Sequence, residues 1–199
     1  MKTTVCEREG CEAALPVAGR GPVPRFCSTC CRVAAHRARR KATEPPQEMT
    51  SRRRWVRRSA RKVPLQPSGR PALSTSPATW SSYRTVAGSS VGVGLGYVLG
   101  PDDGIVCIDL DHCLHGGQLA QWAREVVDRC SGTYIEVSPS GDGLHIFGRA
   151  QVVKGRRIVR DGRSVEVYGQ GRYIAMTGQR FEDAPAELAD LSEVVASLV

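Results

Sequence analysis

Two aspartates, Asp109 and Asp111, stand one residue apart in the apolar run IVCIDLDHC, residues 105–113. Side chains alternate along a strand, so both carboxylates leave by one face and the apolar residues between them by the other. Two unpaired carboxylates on a half-buried face repel each other and are costly to desolvate. The pattern therefore predicts that a positive group lies between them.

Two more polar residues interrupt strand-like runs. His145 lies in GLHIF after a Gly-rich turn, and Glu166 lies in SVEVY between two valines. Three carboxylates converging on one sheet suit Mg²⁺ or Mn²⁺, since both ions prefer oxygen ligands. Two such ions can activate a hydroxyl and stabilise a leaving pyrophosphate, and His145 would then contact phosphate. A single His or Glu on a strand is more often structural or solvated. The prediction of a metal site therefore depends on the four residues together.

The strands and helices that must position these residues are expected to form an α+β fold, with a mainly antiparallel sheet and flanking helices. Two hairpins are expected, one joining strands 133–138 and 144–149, the other joining strands 164–169 and 172–178. Strands are also predicted at 91–99 and 104–111, and helical spacing of apolar residues is found at 119–127 and 188–198.

Three stretches in order, CIDLDHC, VSPSGDGLHIFG and SVEVYGQGRYIAMTG, resemble the motif series of the archaeo-eukaryotic primase superfamily, in its phage and plasmid primase-polymerase branch. The segment 54–83 is similar to the lead-in of those proteins, so the resemblance runs from about 54 to 180. It implies that Asp109, Asp111 and Glu166 are metal ligands and that His145 contacts the triphosphate. Gly143 stands where the family often has Ser or Thr.

The resemblance implies a DNA primase/polymerase in phage or plasmid replication, a nucleotidyltransferase with a two-metal mechanism. Its partners would be a single-stranded DNA template, dNTP or NTP, and a separately encoded replicative helicase, because larger family members carry a helicase of their own. The residues expected to bind the nucleotide are Ser138, Ser140, His145, Lys154, Arg156 and Arg172.

Five of the eight cysteines fall within the first 31 residues. Cys6 and Cys11 form one pair, and Cys27 forms a second with either Cys30 or Cys31. Four thiolates suit a structural, tetrahedral Zn²⁺, and too few apolar residues are present to build a core without it. The run RFCSTCCRVAAHRARR resembles the end of small zinc ribbons, which favours Cys31 and leaves Cys30 spare. The alternative is free cysteines on a disordered basic tail.

Charge and composition divide the chain into a zinc-ribbon-like module with a basic tail at 1–41, a basic linker or entry segment at 42–63, and a catalytic domain at 64–199. Residues 1–62 hold 16 of the 28 Lys and Arg but only 5 of the 20 Asp and Glu. Such asymmetry suggests contact with nucleic acid.

A short basic helix is expected at 32–41. Trp55 in the basic segment either stacks on a base or anchors the segment to the domain, and anchoring is the preferred interpretation.

No apolar run approaches the length of about 20 residues that spans a bilayer, and the N-terminus lacks the apolar region of a signal peptide. A cytoplasmic protein without membrane contact is therefore expected.

One alternative function is a non-catalytic, zinc-ribbon nucleic-acid-binding protein with a primase-like scaffold, although retention of all three acids argues against it. A haloacid-dehalogenase-type phosphatase would need Thr or Val where Cys113 stands.

Overall fold

A computed structural model describes residues 5–15, 22–101, 103–160 and 162–198. Contacts divide the chain into two units, Met1–Glu44 and Pro45–Val199. The helices are α1 Thr29–Thr43, α2 Gln47–Thr50, α3 Tyr83–Ala87, α4 Gln121–Arg129 and α5 Ser192–Leu198, with a 3-10 helix at Pro77–Thr79. The strands are β1 Trp55–Arg58, β2 Pro64–Leu65, β3 Gly94–Leu99, β4 Ile105–Asp111, β5 Leu114–His115, β6 Gln118–Leu119, β7 Tyr134–Val137, β8 Leu144–Arg149, β9 Arg156–Arg160, β10 Arg163–Tyr168 and β11 Arg172–Met176. Within the described part of the chain, no helix has the length and apolar character needed to cross a bilayer.

The first unit contains α1 and very little buried surface. Ser28 precedes the helix, and its hydroxyl accepts a hydrogen bond from the backbone N–H of Cys31 at 3.2 Å, which caps the helix start. The short basic helix predicted at 32–41 is confirmed and extended at both ends. Among the described residues of this unit, only Cys6 and Cys31 are buried, so apolar packing alone provides no core.

A five-stranded antiparallel sheet with the order β7-β8-β4-β10-β9 forms the centre of the second unit. The even-numbered residues of β4, such as Ile108, belong to an apolar core that includes Val126 of α4 and Val194 of α5. The predicted hairpin between 133–138 and 144–149 is confirmed as β7 and β8. Helices therefore cover one face of this sheet, as the alternating pattern of β4 requires.

The opposite face meets a four-stranded antiparallel sheet with the order β11-β3-β1-β2. Cys107 of β4 and Phe147 of β8 share a core with Trp55 of β1 and Tyr97 of β3. The Trp55 side chain is fully buried, and its indole N–H donates to the carbonyl of Met49 at 2.9 Å, which confirms the anchoring interpretation. The segment 42–63, expected to be a linker, thus contributes α2 and β1 to the folded unit.

The second predicted hairpin is wrong. β10 pairs with β4 and β9, whereas β11 pairs with β3 in the other sheet. The turn between them, residues 169–171, carries the chain from one sheet to the other: Gly171 adopts a positive φ of 67°, and a Cβ on Gly169 would lie 2.7 Å from the carbonyl oxygen of Val152. Adjacency in sequence suggested pairing, but both edges of β10 are already occupied.

The helical pattern predicted at 188–198 is helical only in its second half. α5 begins at Ser192, where the side chain of Asp190 accepts the backbone N–H of Ser192 at 2.8 Å. Leu188 and Leu191 are buried from an irregular segment that precedes the helix. The apolar residues of this segment are therefore largely buried, but the predicted helix is confirmed only from Ser192 onward.

Candidate active site

Five polar residues lie in one row across the five-stranded sheet. From β7 to β9 they are Glu136, His145, Asp109, Glu166 and Arg157, each directly opposite the next in the strand register. Residues directly opposite one another in an antiparallel pair project from the same face. The row therefore places three predicted residues side by side, with Asp109 between His145 and Glu166.

The apolar core between the two sheets ends at this row of polar residues. Cys107 lies in the core between the sheets. Asp109 lies two residues further along the same face of β4, and its side chain is 20% exposed. The carboxylates thus lie where the two sheets separate. The cleft there has a volume of ≈ 180 Å³, with Lys62, Arg172 and Tyr173 lining it together with His145.

The pKa of Asp109 is raised to about 6, with burial as the largest cause; His145 and Lys62 lower this pKa, and the charges of Asp111 and Glu166 raise it. The Nε2 atom of His145 lies 3.7 Å from Oδ1 of Asp109. The ionised form of Asp109 is therefore disfavoured mainly because the carboxylate is buried. A bound cation would favour that form.

The other two carboxylates are held by protein donors. Arg157 donates from Nε to Glu166 at 2.9 Å, and the hydroxyl of Tyr168 also donates to Glu166. Arg172 donates to the Tyr168 hydroxyl at 2.7 Å, with its guanidinium 4.5 Å from the centre of the ring. Asp111 accepts from the hydroxyl of Ser164 at 3.2 Å. These donors fix the carboxylates on the shared face.

Glu136 is fully buried at the end of the row and accepts four donors with its two oxygens. One oxygen accepts from the backbone N–H of Thr177 at 3.1 Å and faces Nδ1 of His145 at 3.3 Å. The other accepts from the backbone N–H of Gly178 at 2.9 Å and from the Tyr134 hydroxyl at 2.8 Å. Because a carboxylate only accepts, the proton of this contact is on Nδ1, and Nε2 is turned toward Asp109.

Glu136→Gln should lower the free energy of unfolding by about 2–4 kcal/mol, because the amide would direct a donor at one of two backbone N–H groups. Urea unfolding of the variant, compared with the exposed control Glu125→Gln, measures this loss. His145→Ala should cost less in the Glu136→Gln background than in the wild type, since the two side chains are in contact. If the losses of unfolding free energy from the two substitutions simply add, the contact between Glu136 and His145 makes no contribution to stability.

The remaining predicted nucleotide contacts do not all reach the cleft. Ser138 and Ser140 lie in the loop between β7 and β8, where their hydroxyls are 2.8 Å apart and Ser140 also donates to Asp142. Arg156 is opposite Val167, so it projects from the face away from the carboxylates. Lys154 lines two other cavities. Arg172 does line the cleft, as predicted.

Sequence reasoning missed Glu136 and Tyr168, and it considered Lys62 and Arg157 only as members of basic runs expected to contact phosphate. Glu136 carried a usable signal, since it interrupts the strand TYIEVS as Glu166 interrupts SVEVY. The basic run pointed to phosphate contact by Lys62, but its place in the cleft depends on the turn between β1 and β2, where it has a left-handed conformation with φ 58°. Arg157 rather than Arg156 meets Glu166 because of the β9–β10 register, which the sequence does not specify.

Asp109, Asp111 and Glu166 supply oxygen donors of the kind that Mg²⁺ and Mn²⁺ prefer, from neighbouring positions on one face of the sheet. The chemistry of these residues therefore fits a divalent cation. Their oxygens are engaged with Ser164, Arg157 and Tyr168, so cation binding would exchange these contacts for metal contacts.

The N-terminal cysteines form a compact cluster. The sulfur atoms of Cys6, Cys11, Cys27 and Cys31 all lie within 4.8 Å of one another, and the three measured separations among Cys11, Cys27 and Cys31 are 3.4, 3.8 and 3.8 Å. Tetrahedral Zn²⁺ with Zn–S bonds of about 2.3 Å requires sulfur separations of about 3.8 Å. Cys30 is exposed and outside the cluster. The four sulfurs fit a zinc ion.

Two features favour thiolates in this cluster. The guanidinium of Arg8 lies 3.7 Å from the sulfur of Cys31 and, with Ser28, lowers the pKa of that thiol to about 6. The backbone N–H of Cys27 donates to the sulfur of Cys6 at 3.4 Å, which lowers the pKa of Cys6. Thiolates are the form that binds metal, so the local structure favours that form at Cys31 and Cys6, whereas the contact with Cys31 raises the pKa of Cys27 to about 12.

An acidic pair on a central strand, with a histidine and a third carboxylate on neighbouring strands, is the arrangement that the resemblance to primase-polymerases predicts. The α+β class with antiparallel sheets is confirmed as well. A curated relative supports the same assignment: the chain is 36% identical over 137 residues to a DNA primase-polymerase of Nitratiruptor phage NrS-1. This match confirms the predicted resemblance to phage primase-polymerases.

The match covers 64% of this chain but 19% of the relative, so the chain spans about a fifth of that protein's length. No family model matches the chain.

Proposed function

We propose that this protein is a metal-dependent nucleotidyltransferase that acts as a DNA primase and polymerase on a single-stranded template in phage or plasmid replication. One observation carries the proposal: Asp109 lies between His145 and Glu166 on one sheet face, at the opening of a cleft lined by basic residues. The name of the phage relative points in the same direction.

Asp109, Asp111 and Glu166 are the proposed ligands of Mg²⁺ or Mn²⁺. When bound, such ions supply Lewis-acid activation of a primer 3′-hydroxyl and neutralise charge on the α-phosphate and the leaving pyrophosphate. The protein contributes by carrying the three carboxylates on one face of the sheet, so that the backbone positions of the ligands are set before the nucleotide arrives.

His145, Lys62 and Arg172 provide the positive side of the cleft. His145 is held through Nδ1 by Glu136, so its Nε2 edge is available to the triphosphate of a dNTP or NTP. Lys62 and Arg172 line the same cleft and would neutralise further phosphate charge. A triphosphate bound between these cations and the carboxylates would present its α-phosphate at the acidic row.

Ser138 and Ser140 remain predicted nucleotide contacts, because their loop leads directly into the strand that carries His145.

The basic Cys-rich unit is proposed to bind Zn²⁺ and to contact the template. A separately encoded helicase partner remains a prediction from the resemblance.

Incorporation of a labelled nucleotide on single-stranded template, with and without a primer, tests the proposal in Mg²⁺ and in Mn²⁺. Product in both primer conditions is the expected result. Product only with a primer would reduce the function to polymerisation. No product from folded, zinc-loaded protein that still binds the template would overturn the proposal and favour the non-catalytic nucleic-acid-binding alternative.

A further inference from the structure

The basic hairpin of β9 and β10 lies at the free edge of the sheet that carries the acidic row. It includes Lys154, Arg156, Arg157, Arg160 and Arg163, and β9 is the outermost strand, next to Glu166 on β10. All but one of the five residues of β9 are exposed. The hairpin therefore concentrates positive charge beside the cleft at a solvent-facing edge.

Most of this charge is not neutralised within the hairpin. Arg157 pairs with Glu166 at 2.9 Å, whereas Lys154, Arg156 and Arg163 have no ion pair with any described residue. Arg160 and Arg163 lie directly opposite each other in the strand register. Like charges in that position do not help the hairpin to form, although cations on an edge strand also block pairing with another chain.

The register separates these cations from the nucleotide cleft. Arg157 shares a face with Glu166, but Arg156 and Arg160 alternate with it and project from the other face. Lys154 lines a cavity of ≈ 620 Å³ that also includes Arg54 and Trp80, instead of the cleft that contains Asp109. A single triphosphate at the acidic row cannot meet cations on both faces of the sheet edge.

We propose that the β9–β10 hairpin binds the sugar-phosphate backbone of the nucleic acid on which the enzyme acts, not the incoming triphosphate. This inference rests on the proposed function. An extended polyanion can follow the edge and meet Arg156 and Arg163, which project from the face away from the cleft, together with Lys154. The five residues of β9 span about 13 Å at about 3.3 Å per residue, the axial length of about four phosphates in one strand of a duplex.

The test compares the full-length triple variant Lys154→Gln/Arg156→Gln/Arg163→Gln with the wild type by fluorescence anisotropy of a labelled single-stranded DNA across a salt series. Arg157 is left unchanged because it holds Glu166. The control, Arg70→Gln/Arg84→Gln/Arg129→Gln, removes the same charge at exposed positions outside the hairpin. Thermal melting of each variant checks the fold.

The triple variant should bind DNA about 100-fold more weakly at 0.1 M salt, and the slope of log affinity against log salt should fall by about 2, at about 0.7 per lost phosphate contact. The control should change both quantities far less. The nucleotide KM at saturating template should stay within about twofold of the wild-type value.

An unchanged salt slope, or a loss equal to that of the control, would overturn the inference. A raised nucleotide KM with unchanged DNA affinity would instead assign these cations to the triphosphate. DNA affinity is measured without turnover, so a protein that incorporates no nucleotide would contradict the proposed function while still deciding this inference. In that case nucleotide binding is followed by calorimetry with Mn²⁺ in place of the KM.

Discussion

Asp109→Asn should abolish nucleotide incorporation and at the same time stabilise the metal-free protein at neutral pH. The loss of incorporation should be at least about 1,000-fold, which corresponds to about 4 kcal/mol of transition-state stabilisation. It follows because the amide lacks the charge of a metal ligand at the centre of the acidic row. Incorporation assays in Mg²⁺ and in Mn²⁺ measure the effect, with the exposed Asp183→Asn as the control.

The gain in stability follows from the raised pKa of Asp109, about 6 in the folded protein against an ordinary value of 3.8. Folding then disfavours the ionised form, so the wild type loses up to about 3 kcal/mol of stability as pH rises from 4 to above 6. Asp109→Asn removes this penalty. The variant should therefore unfold at higher urea concentration at pH 8, and the difference should vanish near pH 4.

Divalent cation should reverse the order of stabilities. A cation at one thousand times its dissociation constant stabilises the protein that binds it by about 4.1 kcal/mol, which exceeds the penalty of about 3 kcal/mol, and Asp109→Asn should gain little of this. Melting with and without Mn²⁺ at pH 8 measures the exchange. A variant that is less stable than the wild type without metal, or that still incorporates nucleotide, would remove Asp109 from the proposed role.

The sequence predicted that Asp109, His145 and Glu166 would lie together because the pattern at each of them is local. The period-2 alternation of IVCIDLDHC is sufficient to place Asp109 and Asp111 on one face of a strand, and the interrupted runs at His145 and Glu166 are visible in the same way. Pairing of β7 with β8 was predictable because a short Gly-rich turn joins them. These features depend only on neighbouring residues.

The rest of the site depends on contacts between distant segments. Glu136 is buried because the backbone N–H groups of Thr177 and Gly178 reach it from beyond β11, and no local pattern encodes that meeting. Lys62 enters the cleft from the other sheet. The chain crosses between sheets at 169–171, a move that the sequence analysis replaced with a hairpin. Which edge a strand pairs with is a tertiary choice that periodicity does not specify.

Removal of zinc should unfold the N-terminal unit and leave the second unit folded. Among the described residues of Met1–Glu44, only Cys6 and Cys31 are buried, so a metal held by the four sulfurs would take the place of an apolar core. Structural zinc sites contribute about 10 kcal/mol or more to folding at neutral pH. A strong chelator should therefore abolish the helical signal of α1 and open residues 22–44 to proteases.

The two adjacent cysteines provide a matched pair of variants for this prediction. Cys31→Ser should lose bound zinc and copy the effect of the chelator, whereas Cys30→Ser should keep one zinc per chain. Consecutive helical residues are separated by about 100° around the axis, so Cys30 faces away from the cluster and cannot replace Cys31 without unwinding the start of α1. Metal analysis, circular dichroism and limited proteolysis of both variants measure the difference. Equal zinc loss in the two variants, or a chelator without effect on α1, would contradict the four-cysteine site.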